Sequence, residues 1–186
     1  LPLVDVVVGN PPYVRAHRFK GEHREKALQA GNDSLIQTLG NGAKLAQGSN
    51  TWAPFLLHAC TFLRPSGRLA MVLPTELLTA DYAKPVREFL KNRFSRLSFV
   101  LFRKRIFDQE QDALLLLADS EGNPGIHRIE VESSEKLNEV MARMVPAPHL
   151  NDVWLAGKWT ALLTNQDVLD LLDSLFTRNL VIRLES

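Results

Sequence analysis

Apolar positions fall into short unbroken runs and longer stretches with helical spacing, and the two kinds alternate along the first two thirds of the chain. Leu3 to Val8 is a nearly continuous, β-branched run ended by Gly9-Asn10-Pro11-Pro12, which predicts a strand buried on both faces. From Thr51 to Leu63 the residues Trp52, Phe55, Leu56, Ala59, Phe62 and Leu63 recur at helical spacing, and Pro65-Ser66-Gly67 stops the helix. Leu69 to Leu73 reads as a second buried strand, and Ala83 to Phe94 as a helix carrying Val86, Phe89, Leu90 and Phe94. Leu97 to Phe102 and Ala113 to Ala118 are two more strands, close enough to form an antiparallel pair. The order predicts an α/β fold: a mixed, mostly parallel sheet with helices on both faces.

Between these runs the pattern weakens. Arg15 to Gly48 shows little periodicity and reads as an irregular insertion with short helical turns. Beyond the turn cluster Glu121 to Gly125, Ile126 to Val131 predicts a strand, Ser134 to Met144 a helix, and Val145 to His149 a proline-bearing linker. Asn165 to Phe176 carries Val168, Leu169, Leu171, Leu172 and Leu175 on a helical stripe. The expected division is 1–122 as one half of an α/β domain, 123–149 as sheet extension and linker, and 150–186 as the opening of a further region. No internal repeat or low-complexity segment interrupts this. The start at Leu1-Pro2-Leu3, running at once into a core-type strand, suggests a piece of a longer protein.

Composition narrows the class without choosing a function. The chain has 186 residues, 45% hydrophobic and 23% charged, which is ordinary for a globular domain and excludes disordered or fibrous architectures. A net charge of +1 gives no global drive toward nucleic acid, so any polyanion contact must be local. The single cysteine, Cys60, lies in the helical pattern and excludes an internal disulfide framework; a reducing, cytoplasmic setting fits. No run approaches a membrane span, and no membrane partner is expected. His17, His23, His58, His127 and His149 lack metal-ligand spacing, so no metal is expected.

Chemistry concentrates at Asn10-Pro11-Pro12-Tyr13. In open α/β sheets ligands bind beyond the carboxyl ends of parallel strands, where this turn falls. Two prolines remove two backbone donors, so the turn presents acceptors: the Asn10 side-chain oxygen and the Pro11 carbonyl. Two acceptors match the two N–H groups of an exocyclic amine, and Tyr13 could lie flat on the attached ring. A tight turn with a packed tyrosine is the plainer alternative. Arg15, Arg18, Lys20, Arg24 and Lys26 follow the turn, diluted by Glu22 and Glu25, and Arg103, Lys104 and Arg105 fall between two strands at the same sheet end. Both groups suit phosphate, and both suit a solvated surface.

The run Asp5-Val6-Val7-Val8-Gly9-Asn10-Pro11-Pro12-Tyr13-Val14-Arg15 resembles the catalytic motif of adenine-N6 DNA methyltransferases of restriction-modification systems. The resemblance continues through Phe62-Leu63-Arg64-Pro65-Ser66-Gly67, Arg68 to Pro74, Val86 to Leu90 and Arg105-Ile106-Phe107, covering about the first two thirds of the chain. It implies a partial S-adenosylmethionine-dependent, Rossmann-like methyltransferase fold. By the same resemblance adenine is flipped out, Asn10 and Pro11 accept its N6 hydrogen bonds beside the cofactor, Pro12 completes the catalytic motif, and Tyr13 and Phe107 sandwich the base. Double-stranded DNA is the implied substrate, with a restriction or specificity subunit or a fused nuclease as partner. Asparagine rather than serine at position 10 favours adenine over cytosine on the family's pattern. Val153 to Trp159, with Trp154 and Trp159, resembles the lead into a target-recognition region, though two core tryptophans explain it more simply.

Two departures stand out. The helix after the insertion often opens with Asp-Leu-Tyr in related enzymes, whereas Asn50-Thr51-Trp52 stands here. The glycine-containing loop and acidic residue that bind the methionine and ribose of the cofactor are absent from this chain, so the main cofactor-binding half is expected outside it. Methyltransferases acting on release-factor glutamine or ribosomal RNA guanine share the tetrapeptide and are the first alternative; an inactive DNA-binding or scaffold fragment is the second.

Overall fold

Buried and half-buried positions alternate along the central strands and set the architecture of the computed structural model, which describes residues 2–103, 112–138, 157–164 and 166–178. Five strands form one open sheet in the order β1-β2-β4-β3-β5: β1 (Val4–Gly9), β2 (Leu63–Pro74), β3 (Arg96–Phe102), β4 (Ala113–Asp119) and β5 (Gly125–Val131). β1 runs parallel to β2 and β3 parallel to β5, while β4 is antiparallel to both its neighbours. The mixed sheet and the antiparallel pair are those the hydrophobic runs predict. Leu69, Met71 and Leu73 on β2 and Leu114, Leu116 and Ala118 on β4 are buried on one face, while Ala70, Val72, Leu115 and Leu117 are half-buried on the other.

Helices α1 (Glu22–Leu39), α2 (Trp52–Cys60), the single turn α3 (Glu76–Thr79) and α4 (Lys84–Arg93) fill the connections. Trp52, Leu56 and Leu57 of α2 and Val86, Phe89 and Leu90 of α4 enter the same core as the buried strand face. The later segment joins it too. Trp159, Ala161 and Leu162, in and before a short 3-10 turn (Thr160–Leu163), and Leu169 of α5 (Gln166–Thr177) all pack into that core.

Three expectations need correction. The stretch from Arg15 to Gly48 contains the 18-residue helix α1 rather than isolated turns. Its buried face is Leu28, Gly31, Ser34 and Leu35, so half of the contact is made by small residues that an apolar pattern does not register. A Cβ on Gly31 would lie 3.0 Å from Leu45 Cδ1 and from Pro54 Cα and Cβ, which makes glycine the residue that lets α1 close on α2. Gly31→Leu is expected to lower stability by about 2 kcal/mol, because overpacking exceeds the gain in helix propensity. Urea unfolding measures it, and an unchanged midpoint would refute the close contact.

β1 is not buried on both faces. It is an edge strand, with Val4, Val6 and Val8 exposed at 39%, 53% and 76%, because among the described residues β2 alone pairs with it. The helix from Thr51 ends at Cys60, and β2 begins at Leu63 rather than Leu69. Pro65-Ser66-Gly67 is therefore a bulge within β2: pairing with β1 jumps from Val4↔Leu63 to Val6↔Arg68. Arg93 at the end of α4 grips that bulge, donating to the carbonyls of Leu63, Arg64 and Pro65. Of the helix expected from Ser134, a 3-10 turn (Ser134–Lys136) is described, and residues 139–156 lie outside the described residues.

Candidate active site

Parallel pairing brings the carboxyl ends of β1 and β2 together, so Asn10 to Tyr13 and Thr75-Glu76 share one edge of the sheet. Asp112, just before β4, belongs to the same edge, since its carbonyl accepts a hydrogen bond from Thr75 N–H at 3.0 Å. Arg103 leaves β3 there as well. The edge thus gathers loops from four strands, the usual place for a ligand in an open α/β sheet.

Within the turn, each residue has a different environment. Asn10 is exposed, and among the described residues no group hydrogen-bonds its side chain. Pro11 is buried, while Pro12 is exposed and its carbonyl accepts a hydrogen bond from the Thr51 hydroxyl. Tyr13 is half-buried and packs on the core, with its hydroxyl oxygen enclosed and without a hydrogen-bond partner. Burial pushes that phenol up to about 12 from 10.0.

The raised phenol has a consequence for stability. The folded state holds the Tyr13 proton more tightly than the unfolded chain, so the contribution is complete below pH 10 and is lost as pH rises toward about 12. Tyr13→Phe removes both the unpartnered hydroxyl and this alkaline loss while keeping the ring. It is expected to raise stability by about 1 kcal/mol at neutral pH, and more above pH 10. A melting series across pH tests this; a Tyr13→Phe variant less stable than wild type would show that the hydroxyl has a partner.

The turn is held by residues that the sequence did not single out for the site. Thr51 bonds the turn directly, and Asn50, Glu76 and Tyr82 form a hydrogen-bonded cluster beside it, with Trp52 donating from Nε1 to the Tyr82 hydroxyl at 3.0 Å. The Trp52 and Tyr82 rings are 6.0 Å apart and tilted by 48°. Burial, and then the hydrogen bond to the Glu76 carboxylate, hold the Tyr82 phenol well above its usual range, so it stays protonated. One signal for the cluster was available in advance: the departure at Asn50-Thr51-Trp52.

The basic residues divide. Arg15, Arg18 and Lys20 are exposed just beyond the turn and make no ion pair among the described residues. Arg24 faces inward, its guanidinium donating to the carbonyls of Phe19, Gln47 and Ser49, and Lys26 pairs with Glu22 at 2.5 Å. Arg103 lies at the same sheet edge but three strands from β1, roughly 14 Å away. It pairs with Glu130 at 3.1 Å, and the hydrogen bond to that carboxylate raises its pKa further. Phe107, Lys104 and Arg105 lie outside the described residues. No group of histidine, cysteine or carboxylate side chains that could hold a metal is found among the described residues. Nor is any helix there long and apolar enough to cross a membrane.

Comparison with known proteins bears on this arrangement. The model of the Eco57I restriction-modification methylase family matches residues 4–107, from the start of β1 past the end of β3. The type II methyltransferase M.AccI of Acinetobacter calcoaceticus is 25% identical over 140 residues, which cover 73% of this chain and 24% of that protein. Among solved structures, the type IIG restriction endonuclease BpuSI superposes with a TM-score of 0.58 at 20% identity, covering 89% of this chain and 22% of that one. DrdV in its DNA complex also gives 0.58, at 14% identity, covering 80% and 17%. At these identities the two structures speak for the fold alone. The chain spans about a quarter of the length of the curated relative it matches.

Proposed function

Because this chain belongs to the Eco57I restriction-modification methylase family, we propose that it is the substrate half of a DNA methyltransferase that moves a methyl group from S-adenosylmethionine to N6 of a flipped-out adenine. The observation that carries the reading is the uncommitted Asn10 amide, exposed beside buried Pro11 in the turn at the carboxyl end of β1. M.AccI is a type II methyltransferase, which supports the same reaction class here.

The fit to the cofactor is partial. Asn10 and the open edge suit the reacting end of S-adenosylmethionine, which supplies an electrophilic methyl when bound. The loop from Asn10 to Gly21 carries no glycine run for its methionine or ribose, and the bare edge of β1 is where further strands would add. We assign those strands to the rest of the protein and the present chain to base capture.

In that role Asn10 Oδ1 and the Pro11 carbonyl accept the two amine hydrogens of the base. As the amine attacks, its nitrogen becomes tetrahedral and positive, and both acceptors gain strength as the charge develops. Tyr13 offers its ring as one wall, and Phe107 is proposed as the other. Arg15, Arg18 and Lys20 meet the DNA backbone, with Arg103, Lys104 and Arg105 as a second candidate group. Fluorescence of 2-aminopurine at the target position tests base capture in the full-length protein: it rises on binding, stays high in Tyr13→Phe and is weakened in Tyr13→Ala. No rise in the wild type would reject flipping.

A further inference from the structure

The turn after β1 is fastened from outside itself. Thr51, immediately before α2, meets it three times: its hydroxyl donates to the Pro12 carbonyl, the same oxygen accepts from Val14 N–H at 2.9 Å, and its own N–H donates to the Val14 carbonyl at 3.1 Å. Two residues further on, Ala16 N–H donates to Asn50 Oδ1 at 2.9 Å. Residues 12–16 therefore lie along 50–51 as a short ladder in which side chains supply part of the bonding.

Behind the ladder, Asn50 is 8% exposed and has no spare donor. Its Nδ2 donates to Glu76 Oε2 at 2.7 Å and to the Tyr82 hydroxyl at 3.1 Å. That hydroxyl donates to Glu76 at 2.6 Å and accepts from Trp52 Nε1 at 3.0 Å, so one donor and two acceptor sites are all engaged. Asn50 and Trp52 are buried while Glu76 and Tyr82 are half-buried, and a polar network so far removed from water and bonded within itself is intolerant of a wrong partner. Glu76 opens α3, two residues after β2 ends at Pro74, so the network ties the turn to the element that directly follows the neighbouring parallel strand.

We propose that Asn50 and Thr51 are positioning residues for methyl transfer, holding Pro12, Val14 and Ala16 so that the Asn10 amide stays aimed at the amine, and that Glu76 with Tyr82 dictates an amide at position 50. The inference rests on the turn being the amine-binding element. Valine at position 51 keeps the shape and removes both hydroxyl bonds. Aspartate at position 50 still accepts from Ala16 but loses both donors and sets a second carboxylate against Glu76. Glutamine at position 76 opposite that aspartate restores an amide–carboxylate pair with its polarity reversed.

The test is methyl transfer to duplex DNA by the full-length protein, with kcat and KM separated and each variant's melting recorded. Thr51→Val is expected to lower kcat by about 10²-fold, the scale of an ångström of misplacement, and to leave the KM for S-adenosylmethionine in place. Thr51→Ser keeps the wild-type kcat. Asn50→Asp loses kcat, and adding Glu76→Gln restores it. Wild-type kcat in Thr51→Val, a Thr51→Ser variant as impaired as Thr51→Val, or a double variant no better than Asn50→Asp overturns the proposal. If Thr51→Val does not fold, the Asn50 and Glu76 exchange decides. Asn10→Ala measured alongside separates the two readings: activity in Asn10→Ala refutes the amine-binding turn itself, whereas loss there with Thr51→Val and Asn50→Asp unaffected refutes the positioning role alone.

Discussion

Asn10→Ala in the full-length protein is expected to lower kcat by about 10²–10³-fold, equivalent to roughly 3–4 kcal/mol of transition-state stabilisation, while the melting temperature stays where it was. The two halves of that statement have separate grounds. Stability is untouched because Asn10 is exposed and, among the described residues, its amide holds nothing together. The turn is fixed instead by buried Pro11 and by the bonds from Thr51 to Pro12 and Val14. The rate falls because the amide oxygen is one of two acceptors facing a nitrogen that gains positive charge only as the methyl bond forms. Removing an interaction made in the transition state lowers kcat and kcat/KM together and leaves cofactor KM unchanged. A loss confined to KM would assign Asn10 to ground-state binding.

The second large effect is structural. Trp159→Ala is expected to cost about 3–5 kcal/mol, the range for truncating a large buried aromatic. Trp159 is 1% exposed and meets Phe99 of β3 edge-on, with ring centroids 5.5 Å apart and planes at 72°. Its backbone N–H donates to the Leu78 carbonyl at 2.9 Å. Two buried arginines secure its neighbours, Arg87 donating to Gly157 O at 2.9 Å and Arg128 to Leu162 O at 2.8 Å. Arg87 also donates to the carbonyls of Leu77 and Ala80, so it joins α3 and α4 to the later segment. Denaturant unfolding of the variant measures the cost; a loss below about 1 kcal/mol, the level of a surface substitution, would mean that residues 157–164 contribute little to this core.

Much of the sheet was legible because its strands are unbroken apolar runs. Leu97 to Phe102 and Ala113 to Ala118 pair antiparallel as their spacing suggests, with Phe99 opposite Leu116. Legibility failed where the determining contact is not apolar. The helix α1 escapes a hydrophobic pattern because Gly31 and Ser34 form half of its buried face. The start of β2 is hidden by Pro65-Ser66-Gly67, a breaker cluster that becomes a bulge once Arg93 binds its carbonyls. For β1, a continuous β-branched run implies cover on both sides, and the described chain supplies it on one.

The site divides in the same way. Asn10 to Tyr13 stands out because prolines, an amide and an aromatic ring are contiguous, and their position after a strand supplies the rest. The residues that hold the turn lie 34 to 39 positions away in sequence, and Glu76 and Tyr82 a further 26 and 32 beyond Asn50. Only tertiary packing brings those hydrogen-bonding groups together.

The most direct test of the central claim is the chemical identity of the methylated product. The full-length protein is incubated with tritiated S-adenosylmethionine, duplex DNA and cell extract, and labelled nucleosides and amino acids are separated after digestion. N6-methyldeoxyadenosine as the labelled product, absent with Asn10→Ala, is the predicted result. Label in cytosine, in RNA guanine or in protein glutamine, or equal N6 labelling by wild type and Asn10→Ala, would contradict it.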